Sequence, residues 1–464
     1  MTDQDTLGHF GRIGLCAVGL LAAVGCGGGG GGGTGARGGT GGTGGTGDTG
    51  GGTCPVSSAK GTLTIQISGT PSGNGLVVVG PAATGTEVTT TDDLSIAAGP
   101  QTVTAYLHAE PGTLVRTAYT PIVDEPNPCV RAGEVTTVHV TYSLIDTSGV
   151  VWTGLSNGPS TASLLGFDPA TVTATASTLA VVAADTHGAD GFTFDYLGNL
   201  WVTGGTTTDA GVARYPAAML ATDGVKTADF ELNSATFNSA IPGAKVVTFD
   251  RDGNLWVSVV AAGKVVKFGA AQLVTGGSTV PSVEQSGLDS PLGVAFDSAG
   301  NMWIASNGGN TVMRIDAAHL TTSGSGADLT ISALTAGVVN GTLGDPRGLA
   351  FDASGNLWVN YGGIIAELPV SVLGGTGAIT VTPPVQLETD VLALPEGIAF
   401  DEQGGLWFAY SAGKIARFAP SQLVGQGPAT PATIITSADI GGGNAGWFAF
   451  YPAPAFTPLA HAFN

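Results

Sequence analysis

The stretch Pro291-Leu292-Gly293-Val294-Ala295-Phe296-Asp297, followed by Gly300-Asn301-Met302-Trp303-Ile304, decides the fold, because its pattern occurs five times in 464 residues. An apolar run that ends in Phe-Asp, a Gly-containing turn and a short aromatic run read as two strands joined by a tight turn. The five copies place their aspartates at Asp195, Asp250, Asp297, Asp352 and Asp401, at intervals of 55, 47, 55 and 49 residues. A third run follows each aromatic strand, at 212–215, 264–268, 312–315, 364–368 and 414–418. A fourth strand and a loop rich in Gly and Pro then lead to the next copy.

Four strands in a unit of ~50 residues is the size of a propeller blade, and a blade cannot bury both faces alone. The ends of the repeat region supply a further unit. Gly149-Val150-Val151-Trp152 and Leu164-Leu165-Gly166-Phe167 match second and third strands that lack a first, whereas Phe448-Ala449-Phe450-Tyr451 matches a first strand without successors. Joined, they predict six blades over 147–464, closed by a strand exchange that hides two sheet edges. Six of the seven tryptophans stand at one repeat position, where a large flat ring fills the wedge between blades.

The repeated aspartates suit turns whose carboxylates accept backbone N–H groups, and five equivalent residues do not all carry chemistry. Asp250-Arg251-Asp252-Gly253-Asn254 begins like a calcium loop, but Leu255-Trp256-Val257 is a strand where later ligands belong. Chemistry is expected instead on the loops that lead into the first strands. These carry His187-Gly188-Ala189-Asp190, Asp289-Ser290-Pro291, Asp345-Pro346-Arg347 and Pro395-Glu396. Arg347 and Glu396 share a repeat position in successive units, so an ion pair between them is expected. His319 matches Gln272 and Gln422 of sister repeats and reads as a loop variant.

The pattern Pro-x-Gly-apolar-Ala-Phe-Asp with Gly-Asn-Leu-Trp-Val resembles the NHL-repeat propellers and the related streptogramin-lyase-like and gluconolactonase-like sequences, over about 149–452. The resemblance implies a propeller and leaves its activity open, since one scaffold hosts lyases, lactonases, ligand binders and protein scaffolds. In the lyase-like group a histidine and acidic residues support metal-assisted ring opening on seven blades. In the lactonase-like group six blades hold a divalent cation through Glu, Asn and Asp. Carried onto this chain, they imply His187, Asp190, Asn307, Asn360 and Glu396, which with Arg347 from the loop reading make up the candidate channel-mouth ligand site. No catalytic residue, metal ligand or resident cofactor is assigned. A divalent cation belongs only to the alternative of a metal-dependent lyase or lactonase; the preferred reading is a non-catalytic propeller that binds a protein or glycan.

Before the repeat, 60–145 reads as short strands at 62–67, 76–79, 87–91, 102–107 and 136–142, between turn signals. This predicts a small β-sandwich over 54–146, which resembles the immunoglobulin-like and PEGA-like modules of bacterial surface proteins. His108 and His139 read as surface residues of its strands. The whole chain is therefore expected to be all-β.

At the N-terminus Arg12 precedes the apolar run 13–24, too short to span a bilayer and the length of a signal-peptide core. It ends in Ala23-Val24-Gly25-Cys26, which resembles a bacterial lipobox, and this implies removal of 1–25 and acylation of Cys26. Residues 27–53 are nearly all Gly and Thr and form a flexible tether. An exported, lipid-anchored protein of the cell envelope is expected. Cys54 and Cys129 then remain, either as one disulfide or as two buried thiols. With 15 basic against 35 acidic residues the net charge is −20, which excludes a nucleic-acid partner.

Overall fold

The computed structural model describes residues 54–81, 84–112, 114–156, 164–168, 181–185, 191–204, 211–233, 244–274, 277–278, 280–335, 341–389, 396–410, 414–436 and 444–456. The signal segment, Cys26, the tether, His187 and Asp190 lie outside them. Two compact units form, and the first holds 74–105, 123–140 and the described residues up to Ser68.

In the first unit Lys60–Ser68 alternates, with Leu63, Ile65 and Ile67 buried and every second residue facing outward. It pairs antiparallel with Asp92–Ala97, from Lys60↔Ala97 to Ile65↔Asp92. Leu76–Val79 lies between Thr86–Val88 and Val103–Tyr106 in a three-stranded sheet. The strand expected over 87–91 is thus corrected: one strand ends at Val88 and another, in a different sheet, starts at Asp92. Thr89-Thr90-Thr91 forms the bend between them. Cys54 and Cys129 are joined as a disulfide with their Cα atoms 5.7 Å apart. His139 is on the surface, its Nδ1 2.8 Å from Asp124 Oδ2.

The second unit takes in the described residues of 69–73, of 106–122 and from Thr141 onward. Its strand His108–Glu110 pairs with Thr117–Val123 through His108↔Tyr119 and Glu110↔Thr117. Ala118 of this hairpin shares a core with Trp152, so residues that read as sandwich pack with the repeat. His108 is a correction as well. Its side chain is only 15% exposed, beside Glu110 and edge-on to Tyr142.

The repeat is a β-propeller. In the third copy Pro291–Phe296, Met302–Ser306, Thr311–Ile315 and Leu329–Ala333 pair antiparallel in sequence order. Gly377–Val381 then joins the outer edge in parallel, and it comes from the following copy. Such a borrowed outer strand also completes four other sheets, by Gly224–Val225, Gly277–Ser278, Gly324–Ser325 and Gln426–Pro428. These Gly-rich pieces have no alternating pattern, so the sequence shows four strands per unit where five assemble.

The innermost strands are Gly191–Phe194, Ala244–Phe249, Pro291–Phe296, Pro346–Phe351, Ile398–Phe400 and Asn444–Tyr451. Each packs on the next, and the last packs on the first, so they enclose a channel. Asn444–Tyr451 pairs with Val150–Ser156, from Val150↔Tyr451 to Ser156↔Asn444, and joins the two ends of the repeat region.

Aromatic pairs bind neighbouring sheets. Trp201 meets Phe249 at 5.6 Å between centroids, Trp256 meets Phe296 at 5.9 Å, Trp303 meets Phe351 at 6.3 Å and Trp358 meets Phe400 at 6.0 Å. Trp407 with Phe450 at 6.2 Å and Trp152 with Phe194 at 5.8 Å continue the series around the ring. The repeated Phe is therefore the partner of the preceding copy's tryptophan.

Candidate functional site at the leading mouth of the channel

All inner strands run the same way, from a leading end to the Phe-Asp end. At the leading end they crowd together. A Cβ on Gly293 would lie 2.1 Å from Arg347 O, and one on Gly348 would lie 2.6 Å from Glu396 O. Gly191 and Gly397 are equally blocked, by Lys245 O at 2.5 Å and Trp447 Cα at 2.7 Å. The glycine of Pro-x-Gly is required by this approach of neighbouring backbones.

The residue before that glycine stands on a bulge. The register slips between Pro291 and Val294 against Ser306 and Ile304, and between Pro346 and Leu349 against Tyr361 and Val359. An extra residue turns the strand and re-aims its side chain. Arg347 is placed in this way with its Nη1 3.7 Å from Glu396 Oε1. Arg347 Nε and Nη2 also donate to Asp345 Oδ2 at 3.1 and 3.0 Å.

From Asp345 the network runs into the preceding sheet. Asn307 Nδ2 donates to Asp345 Oδ1 and, at 3.3 Å, to Pro346 O. Asp345 N–H donates to Asn310 Oδ1 at 2.8 Å. Ser306 Oγ donates to Asp289 O at 2.9 Å, and Asn307 N–H donates to Ser290 O at 3.1 Å. Ser290, Asn310 and Asp345 have φ of 51°, 53° and 59°, and they are the three non-glycine residues at positive φ among the described residues. Backbone strain of about 1–3 kcal/mol at each is held by these bonds, and such strain concentrates at functional sites.

The candidate residues thus divide. Asn307, Arg347 and Glu396 come together, along with Asp345. Asn360 does not reach the rim: it is fully buried on Leu357–Tyr361, opposite the bulge that carries Arg347. Its counterparts are struts. Thr203 Oγ1 bonds Gly191 O at 3.1 Å and Lys245 O at 2.6 Å, and Ser258 Oγ accepts the Val246 N–H at 3.0 Å. His187 and Asp190 belong to the undescribed residues. Asn310 was missed by sequence reading, although Gly308-Gly309-Asn310 is a turn signal whose last residue tolerates positive φ.

Chemically, the rim alternates acceptors and donors from three sheets. The Arg347 guanidinium lies between the carboxylates of Asp345 and Glu396 and answers both. Among the described residues no three of His, Cys, Asp and Glu converge as metal ligands. His319, the one described histidine of the propeller sheets, lies elsewhere, on the turn Ala317–Thr321. Its Nδ1 is 2.9 Å from Asp328 Oδ2, and the Asp328 carboxylate raises its pKa above 6.5. At the opposite, Phe-Asp mouth the channel widens into a cavity of about 260 Å³, walled by the inner strands and by Ala453 and Pro454.

None of the curated proteins compared matches the chain. A sequence profile of the family described as "Strictosidine synthase-like, N-terminal" matches residues 386–418, from the fourth strand of one sheet through the third strand of the next. Among solved structures, a streptogramin B lyase is similar at 17% identity over 50% of this chain and 65% of its own, with a TM-score of 0.34. This chain thus spans slightly less than two thirds of that structure. Virginiamycin B lyase from Staphylococcus aureus is similar at 15% identity over 52% of this chain and 84% of its own, with a TM-score of 0.32. The WD40 β-propeller domain of Doa1 is similar at 11% identity over 62% of this chain and 83% of its own, with a TM-score of 0.36.

Proposed function

We propose that this chain is an exported lipoprotein, acylated at Cys26, whose six-bladed propeller binds a protein or glycan without catalysing a reaction. The tether of 27–53 and the β-unit that follows it link the propeller to the lipid. The observation that carries the non-catalytic reading is the state of the rim. Its Arg347 guanidinium donates twice to Asp345 and lies 3.7 Å from Glu396, and the Asn307 amide donates to the same Asp345 carboxylate, so the cation and that carboxylate are engaged with each other. A rim of this kind offers fixed donors and acceptors to a partner surface, whereas general-base or metal chemistry needs a group poised to accept a proton or a cation.

Thermal unfolding after EDTA treatment, followed by Ca²⁺, Mg²⁺, Mn²⁺ or Zn²⁺, tests this reading, because a ligand that binds only the folded state raises the midpoint. No shift is expected. A clear rise with one cation would overturn the non-catalytic assignment in favour of a metal-dependent lyase or lactonase. Incorporation of labelled palmitate by the intact chain, abolished by Cys26→Ala, tests the anchor separately.

A further inference from the structure

The cavity at the Phe-Asp mouth differs in chemistry from the polar rim. Its wall repeats one layer around the ring: Phe194, Phe249, Phe296, Phe351, Phe400 and Phe450. The residue before each Phe is small, Thr in two copies and Ala in four, which keeps the lumen open. No charged side chain lines it among the described residues. Every inner strand is also the edge of its sheet, so the backbone groups on its channel side have no partner strand.

The lip is apolar on one side. Tyr196 and Leu197 follow Asp195 and are 49% and 40% exposed. In the other copies the corresponding pairs are Arg251-Asp252, Ser298-Ala299, Ala353-Ser354 and Glu402-Gln403. Tyr451 ties this lip to the cavity: its ring is in the wall and its hydroxyl donates to Tyr196 O at 2.7 Å. Exposed apolar residues that continue a cavity lined by aromatic edges and by polar backbone mark a ligand-binding surface.

We propose that this cavity binds a small uncharged aromatic molecule of two fused rings that carries a hydrogen-bonding substituent. Size sets the ring count, since a dry apolar cavity of about 150 Å³ accepts benzene, and this lumen of about 260 Å³ has room for a second ring. The Phe rings pack on the tryptophans and leave only their edges at the lumen, which suits edge contacts with an aromatic ligand. The channel-side backbone of the edge strands supplies partners for a hydroxyl or N–H. A net charge of −20 disfavours an anionic ligand. The site lies at the end of the channel opposite Arg347 and does not depend on the function proposed for the rim.

The test is a fluorescence titration of the intact protein with 2-naphthol. One saturable site is expected. The filled variant Ala295→Leu/Ala449→Leu weakens binding at least tenfold, and Thr248→Leu fills the lumen independently should the double variant fail to fold. Arg347→Ala, at the other mouth, leaves the titration unchanged. The proposal is overturned by the absence of saturable binding, by binding that survives in folded filled variants, or by binding lost with Arg347→Ala. Saturable binding that emerges only after removal of residues 457–464 would assign the cavity to the chain's own end and overturn it equally.

Discussion

The indole Nε1 of Trp303 donates a 2.9 Å hydrogen bond to Oδ2 of Asp297, six residues earlier, and thereby locks the turn to the wedge residue that follows it. The same carboxylate uses Oδ1 to accept the N–H groups of Ala299 and Asn301 at 3.0 and 2.9 Å. Asp195 with Trp201, Asp250 with Trp256, Asp352 with Trp358 and Asp401 with Trp407 repeat the indole bond at 3.0, 2.9, 3.0 and 2.7 Å. Where the sixth copy has Tyr451 in the place of Asp, Trp152 Nε1 donates instead to Thr147 O at 3.0 Å.

Asp297→Ala strips the indole and two backbone N–H groups of their acceptor at once. A loss of about 2–4 kcal/mol is expected in denaturant unfolding. Trp303→Phe keeps most of the volume and removes only the indole donor. A double-mutant cycle between the two should give a coupling of about 0.5 kcal/mol or more; additive losses would show that the bond does not join turn to wedge.

A charge reversal in the fourth copy predicts a pH effect. On the third strands Arg214, Lys267, Arg314 and Arg417 lie over the tryptophans of their own sheets, 5.4 to 5.9 Å from the ring centroids. Glu367 occupies this place opposite Trp358. Burial, and then the neighbouring Asp352 carboxylate, push its pKa above 4.5. The folded state therefore disfavours ionisation. The cost is absent below pH 4.5, grows as pH rises through the folded pKa and is complete above it. Glu367→Gln should raise Tm by roughly one to two degrees at pH 7, with the difference gone at pH 4. An equal effect at both values would exclude ionisation as its cause.

Crowding at the leading mouth sets a steric prediction. Gly293→Ala places a methyl group against the Arg347 carbonyl and should cost about 2 kcal/mol or more. Gly374 has an ordinary φ of −82° and open space around its α-carbon. Gly374→Ala should stabilise by about 0.4–1 kcal/mol through the unfolded chain. Melting curves of the two variants that moved in the same direction would contradict the close approach of the inner strands.

The disulfide spans a sequence separation of 75 residues in the first unit. Loop-closure entropy values such a link at about 4 kcal/mol. All seven tryptophans lie in the second unit, so their fluorescence reports that unit alone. Cys54→Ser/Cys129→Ser should lower the transition followed by far-ultraviolet circular dichroism and leave the tryptophan transition in place.

The residues of the propeller were legible because period and spacing are local. Phe-Asp, Gly-Asn and the aromatic strand recur at nearly fixed distances, and each element is specified by residues within about ten positions of it. The rim was only partly legible. Arg347 and Glu396 share a repeat position and were expected to meet, but Asn360 looks equally suitable in sequence and is fully buried. Its exclusion follows from the bulge in Pro346–Phe351, a register shift that no local pattern announces. The borrowed outer strands are another case. Their two to five residues acquire a partner only because the next copy brings them past the preceding sheet's free edge.

What the sequence by itself determined, then, is the repeat: which residues turn, which alternate and which rings stand at the wedge, all consequences of short-range preference and burial period. The tertiary structure alone decided which copies face one another. It set the close approach that requires Gly293 and Gly348, the meeting of Asn307 with Asp345, and the Phe-lined lumen at the other mouth. Those contacts join residues dozens to hundreds of positions apart, and they exist only once the inner strands have packed into a closed ring.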